Sequence, residues 1–350
     1  MAADATAPSL GARLPRLSVT SWIGLVFVGL LVIWLGVNLV KTPGDFIEVF
    51  LIGITTGCVY ALVALGYTLV YGILELINFA NGDVFMLGGM FAITYSTSLF
   101  GLHQGQGWVI VPIVIATLVL VMASCGLINA TIERVAYRPL RHAPRLAPLI
   151  TAIGASFILQ DIGLAWKGPN YVTAPDIFPH GAVFTVGGVT YTWNKLIVVL
   201  FTVPVLLLLL YLVQRTRQGK AMRATAQDMD ASAMMGIDVN RTISFTFLIA
   251  GALAGSAGVL YAFYVTTVRF DQGFQLGLIA FTAAVLGGIG NLPGAVLGAL
   301  IIGLIQAFNE GLNWHAPGSD WTESIVFSIL ILILVFRPEG LLGERTPEGG

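Results

Sequence analysis

Residues 78 to 83 read NFANGD. They set two amides, a glycine and a carboxylate between two of the most apolar stretches of the chain, where hydropathy expects lipid. How this interruption is read decides the fold. The apolar stretch before it supplies the roughly 20 residues of a membrane-crossing helix between Asp45 and Gly66, and the next one begins near Val84. GYTLVYGILELINFANGD, residues 66 to 83, is therefore surplus. It is too apolar for a solvated loop and too short to span twice. One reading bends it or re-enters it into the membrane, where protein or a water-filled cavity satisfies its backbone. The other makes the second helix long and tilted, Val49 to Leu74, ending in a turn that leaves Glu75 and Asp83 in solvent. Glycine-interrupted segments at membrane depth point to a transporter's path. On the first reading Asn78, Asn81 and Asp83, around Gly82, offer partners to the charged groups of a zwitterion, and Tyr71 and Phe79 supply apolar walls.

Composition sets the class. With 57% hydrophobic and 10% charged residues over 350 positions and a mean hydropathy of +0.88, the chain lacks the charge that a soluble surface needs. It reads as an all-α, polytopic membrane bundle with the lipid bilayer as its solvent. Spanning candidates fall near 21 to 40, 46 to 66, 84 to 101, 108 to 130, 147 to 166, 195 to 213, 242 to 265, 274 to 290, 294 to 310 and 323 to 336, about ten in all. The last long uncharged run is divided at GGIGNLPG, residues 287 to 294, by its glycine and proline turn. Cys58 and Cys125 both lie inside apolar runs, which suits packing rather than a disulfide framework.

Basic residues orient the bundle. Ten spans put thirteen of the 17 Lys and Arg on one side, in 1–20, 134–145, 215–241 and beyond 336, and leave Lys41, Lys167, Lys195 and Arg269 on the other. The expectation is a transmembrane domain over 21–337, with the tails 1–20 and 338–350 both cytoplasmic. The longest outer loop, 167–194, is rich in Gly, Pro, Thr and aromatics and reads either as a hairpin or as a plain loop.

Phe79-Ala-Asn-Gly82, followed by Gly88, is echoed by Phe270-Asp-Gln-Gly273, followed by Gly277, on oppositely oriented helices. Two inverted five-helix repeats with discontinuous helices would produce that echo, and Phe270 and Gly273 join the candidate path on this ground. Gly251 with Gly255, and Gly294 with Gly298, have the spacing that lets helix backbones approach closely.

The cytoplasmic loop 214–241 has a centre, GKAMRATAQDMDASAMMG, that is rich in helix formers and stops at Gly236, a natural residue for the turn that ends a helix. A short helix is expected there. Met222, Ala226, Met229 and Ala233 recur at helical spacing beside Thr225 and Met234, and Gln227 and Asp228 add polar contacts. Such a surface suits docking into another subunit, or packing on its own bundle.

These residues carry a resemblance. ALVALGYTLVYGILELINFANGDVFMLGG (61 to 89), RTRQGKAMRATAQDMDASAMMGIDVNRTISFTFLIAGALAGSAGVL (215 to 260) and AVLGGIGNLPGAVLGALIIGLIQAF (284 to 308) resemble the permease subunit of bacterial branched-chain amino-acid ABC transporters, over about 45–343. That family usually has histidine where this chain has Asn81. The resemblance implies a multi-pass subunit of the bacterial inner membrane working with a second, LivM-like permease, two ATP-binding subunits and an extracytoplasmic substrate-binding protein. It also implies that the family's ATPase-coupling helix corresponds to the 214–241 loop. The chain has no G-x-x-x-x-G-K-[ST]: Gly219-Lys220-Ala221 lacks the glycine loop and the hydroxyl that phosphate and magnesium need. No enzyme activity, cofactor, metal or nucleic acid is expected of it. His103, His142, His180 and His315 are scattered over loops on both sides. The rival readings are a permease for urea or short amides and an ion-coupled secondary transporter. Ion coupling would want several paired intramembrane carboxylates, and the sequence offers chiefly Glu75, Asp83 and Asp161.

Overall fold

A computed structural model describes residues 29, 32–102, 110–141, 143–144, 146–176, 181–186, 189–314, 316–337 and 339–343. The N-terminal tail and the start of the first expected span, Arg145, the four histidines and most of the C-terminal tail, Arg345 included, lie outside the described residues. Ten apolar helices appear among those described. They are α1 (Val32–Lys41), α2 (Pro43–Leu74), α3 (Ala80–Thr94), α4 (Ile110–Ile132), α5 (Leu146–Lys167), α6 (Trp193–Arg215), α9 (Val239–Val265), α10 (Gln272–Gly287), α11 (Leu292–Gly311) and α12 (Thr322–Phe336). Two short helices, α7 (Arg217–Gln227) and α8 (Met229–Met234), lie between α6 and α9. Among the described residues, seven helices are long and apolar enough to cross a membrane.

Helix α2 runs through the first half of the surplus stretch and stops at Leu74, where Glu75 turns into the left-handed region at φ 53° and donates its N–H to the Tyr71 carbonyl. Only 75–79 remain non-helical before α3 begins, four residues earlier than hydropathy placed it. The long form of the second helix is therefore the one found. Its turn nevertheless solvates only Glu75, because Asn78, Asn81 and Asp83 are all buried.

Two crossings organise the bundle. Helix α2 packs along α11, and α9 packs along α4. Gly53 and Gly57 of α2 face Leu304 and Leu300, while Gly251 and Gly255 of α9 face Asn129 and Cys125. Gly294 and Gly298 likewise lie against Gly287 and Ala283 of α10. Helix α3 carries α5 on its flank, and α10 carries α12. These pairings exchange under the substitution of α2–α5 by α9–α12, as two inverted repeats require. The backbone agrees. Among the described residues, Glu75 and Thr266 are the only non-glycine positions with positive φ, at 53° and 63°; each ends a central helix, and each lies four residues before the echoed Phe79 or Phe270.

Loops sort to two faces. One gathers 75–79, 133–141, α7 and α8, the turn 288–291 and Arg337. The other gathers the ends of α1 and α11, the strands and Arg269. On the second face β2 (Ala182–Val186) pairs with β3 (Val189–Thr192) as a hairpin, and β1 (Val172–Thr173) pairs with β4 (Thr267–Val268), tying the two halves together. Below, the faces are the α7–α8 face and the hairpin face. Cys58 and Cys125 are buried and unpaired.

Candidate functional site

The tip of α3 sends its three polar side chains to three different neighbours. Asn78 accepts from the Tyr137 hydroxyl (3.1 Å) and donates to Asn129 Oδ1 (3.0 Å), and Asn129 donates on to the Phe247 carbonyl (2.8 Å). This relay joins the 75–79 turn to α4 and α9. Asn81 instead faces α2, where Gly66 makes room for its amide and the Val63 carbonyl lies 3.5 Å away, while its Oδ1 has no partner among the described residues. Asp83 turns to α5, accepts from the Ser156 hydroxyl at Oδ2, and leaves Oδ1 without a partner among the described residues. Gln160 donates to that same Ser156 hydroxyl at 3.3 Å.

Of the other candidate path residues, Phe79 stacks obliquely on Phe281, which also meets Tyr67 edge-on. Gly82 lies directly on Gly273 and Gly277. A Cβ on Gly273 would stand 2.8 Å from the Gly82 carbonyl oxygen and 2.9 Å from the Asp83 Cα, so only glycine fits. Phe270 is half-buried just ahead of α10. Tyr71 is set apart from the rest and lines an open cavity of about 670 Å³ on the α7–α8 face, with Thr68, Glu75, Arg223, Gln227 and Asn291. The structure thus brings Asn78, Phe79, Asn81, Gly82, Asp83 and Gly273 together as packed joints, and places Tyr71 on open space.

The 214–241 segment forms two helices where the sequence suggested one. Thr216 caps α7 by accepting from the Gly219 N–H, and Asp228 breaks the chain with extended backbone and caps α8 by accepting from the Ala231 N–H at 2.9 Å. After α8, Gly236 has φ +84°; its N–H reaches the Ala233 carbonyl and that of Ile237 reaches the Ser232 carbonyl, the paired bonds of a Schellman turn. Met222 and Thr225 face inward and are buried, and the Arg223 guanidinium donates to the Val213 carbonyl at 2.6 Å. Ala226, Gln227, Asp228, Ala233 and Gly236 are exposed, Met229 is half-buried, and Met234 and Met235 are each 83% exposed. The expected single stripe is therefore divided. One part fastens the segment to the bundle, and the other faces away from it.

A further cluster escaped the sequence reading. Glu133 is fully buried, paired with Arg141 and bonded by the Ser244 hydroxyl at 2.5 Å, and Arg141 also donates to Asn240 at 2.6 Å. It ties the end of α4 to the start of α9 on the α7–α8 face. Glu133 stands beside Arg134 and looks like a loop residue, yet the helix continues through it as a π turn, Glu133–Tyr137. Asn129 and Ser156 were missed as well, since each sits in an apolar helix, and Tyr137 was missed because it lies among the arginines that read as a loop. Among the described residues no group of His, Cys, Asp and Glu is arranged to hold a metal ion.

Residues 49–335 match the family described as the permease component of the branched-chain amino acid transport system. The chain is 38% identical to the high-affinity branched-chain amino acid transport system permease protein BraD of Pseudomonas aeruginosa, over 85% of this chain and 95% of that one. It is 36% identical to the corresponding permease protein LivH of Escherichia coli K12, over 87% and 97%. Identity to the fructose import permease protein FrcC of Rhizobium meliloti is 27%, over 61% and 58%. A profile match over most of the chain, joined to near full-length relatives and a bundle with membrane-length helices, leads to one conclusion: the chain belongs to the family of branched-chain amino acid transport permease components.

Proposed function

We propose that the chain is a transmembrane subunit of an ATP-driven importer of branched-chain amino acids. Hydrolysis resides in two separate ATP-binding subunits. A second, LivM-like permease completes the path, and an extracytoplasmic binding protein delivers substrate. The observation that carries this reading is similarity to BraD and LivH along nearly their whole lengths, against weaker and partial similarity to a sugar permease. The α7–α8 segment is the ATPase contact, with Ala226, Gln227, Ala233, Met234 and Met235 outermost. The basic residues of 134–141, 215–241 and Arg337 support a cytoplasmic α7–α8 face in a bacterial inner membrane, with both termini expected on that side. In this orientation the cavity beside Tyr71 opens inward, as an exit should.

The test is uptake by proteoliposomes carrying the full complex, given labelled leucine, isoleucine, valine or urea, with and without ATP. ATP-dependent uptake of the three amino acids is expected. Uptake of urea alone would move the chain to the amide permeases. Leucine uptake driven by an ion gradient without ATPase subunits would make it a secondary carrier. Single cysteines replacing Ala143 and Ala182 should label from the cytoplasmic and outer faces respectively, and labelling of both from one side would overturn the orientation.

A further inference from the structure

Helix α5 presents an outward stripe of Ile150, Phe157, Ile158, Ile162 and Trp166, which recur along one side of the helix and are 40 to 67% exposed where they point away from the bundle. Asp161 sits in the middle of that stripe, and it too is exposed. It makes no hydrogen bond or ion pair with any described residue. Its neighbour Gln160 turns inward to Ser156, and Lys167, six residues on, lies over the Trp166 ring. Six helical residues put Asp161 roughly 9 Å inside the hairpin-face end of α5. A lysine at that depth could snorkel to the interface, but an aspartate side chain is too short. An ionised carboxylate facing hydrocarbon is expensive, and such groups mark water-filled or protein-lined paths. Helix α6 gives the contrast. Its outward Leu200, Val203, Leu207, Leu208 and Tyr211 carry no charge and suit lipid.

We infer that the outer stripe of α5 borders a wetted seam between this chain and a second permease subunit, and that Asp161 is the anion in it that meets the ammonium group of the passing amino acid. The assignment rests on the importer reading above. Phe91 of α3 meets the stripe at its end, its ring 5.2 Å from that of Trp166, while Ile150, Phe157, Ile158 and Ile162 stay 50 to 67% exposed, so the opposite wall comes from the second permease. The apolar residues flanking the carboxylate leave the aliphatic side chain of the substrate a surface to slide along, while the charge selects the amino end.

The experiment uses the complete complex in proteoliposomes, with Asp161→Cys and, as a lipid-facing control, Leu208→Cys, the native buried cysteines serving as background. A membrane-impermeant cationic methanethiosulfonate should modify the thiol introduced at position 161 at least tenfold faster than the one at position 208, because its chemistry needs a thiolate and therefore water, and leucine should slow it. Equal rates would overturn the seam. Asp161→Asn should lower leucine uptake about tenfold while ATPase subunits still co-purify, and unchanged uptake would overturn the role of the carboxylate. Should the wild-type complex fail to import leucine, the ammonium assignment falls with the importer reading, and the labelling rates still decide whether the stripe is wetted.

Discussion

The tip of α3 and the α7–α8 segment are both polar interruptions in an apolar chain, and they spend their polar groups in opposite ways. At the tip, Asn78, Asn81 and Asp83 are each at most 1% exposed and point to α4, α2 and α5 in turn. In α7–α8 the polar groups cap their own helices, Thr216 and Asp228 by side chain, and the outermost residues are methionines. The contrast teaches that polarity within a hydrophobic sequence marks a helix break but not what the break is for. Where bonds run between helices the break is a joint, and where they close locally the surface is left free for something else.

The comparison fails first if the tip is not locked. Gly273→Val would press a branched side chain on the Gly82 carbonyl and the Met86 Cβ, both 2.8 Å from the position of its Cβ. It should destabilise the bundle by about 3 kcal/mol, read as a lower melting temperature in detergent. An unchanged melting temperature would mean that the two tips do not bear on each other. A smaller loss, about 1 kcal/mol, is expected for Asn129→Leu, which strands the amide of Asn78. Adding Asn78→Leu should then cost less than the two single changes summed, because both ends of the bond are gone. Strict additivity would dissolve the relay.

On the other side of the comparison, Gly236→Val forces a β-branched residue to φ +84°. The strain is about 1 kcal/mol or somewhat more and is confined to the end of α8. Pull-down of the ATPase subunits should fall while the melting temperature of the permease moves little. The smallest effect on the fold, within about 0.5 kcal/mol, belongs to Met234→Arg, since that side chain touches mostly solvent. ATPase binding and substrate-stimulated hydrolysis should nonetheless drop. Wild-type values of both would place the contact elsewhere on the α7–α8 face.

The helices were legible because each needs about 20 apolar residues and little else. The Gly236 turn was legible because few residues tolerate its backbone. The Phe79 and Phe270 echo was legible in outline, and the matching left-handed residues Glu75 and Thr266 now give it a common register. Partners were not legible. Asn78 meets a residue 51 positions away and Asp83 one 73 positions away, and nothing local in either helix announces the other. The break at Asp228 was masked by its helix-forming neighbours, although an aspartate placed to cap the third residue after it is a recognisable start signal. Glu133 was hidden by a π turn that hydropathy cannot register.

The contact of Gly82 with Gly273 and Gly277 has a mechanical consequence. The two five-helix halves bear on each other there through bare main chain, so the bearing has no rotamers to change and no side chains to repack when it turns. Around that bearing the halves interlock, α2 along α11 and α4 along α9, and each rim adds a tie. On the hairpin face the halves are pinned by the β1–β4 pair, and on the opposite face by Arg141 and Glu133 reaching Asn240 and Ser244. With no side chain of its own to adjust, the bearing is held in place by what surrounds it, so a displacement of either glycine tip is passed directly to the main chain of the other half.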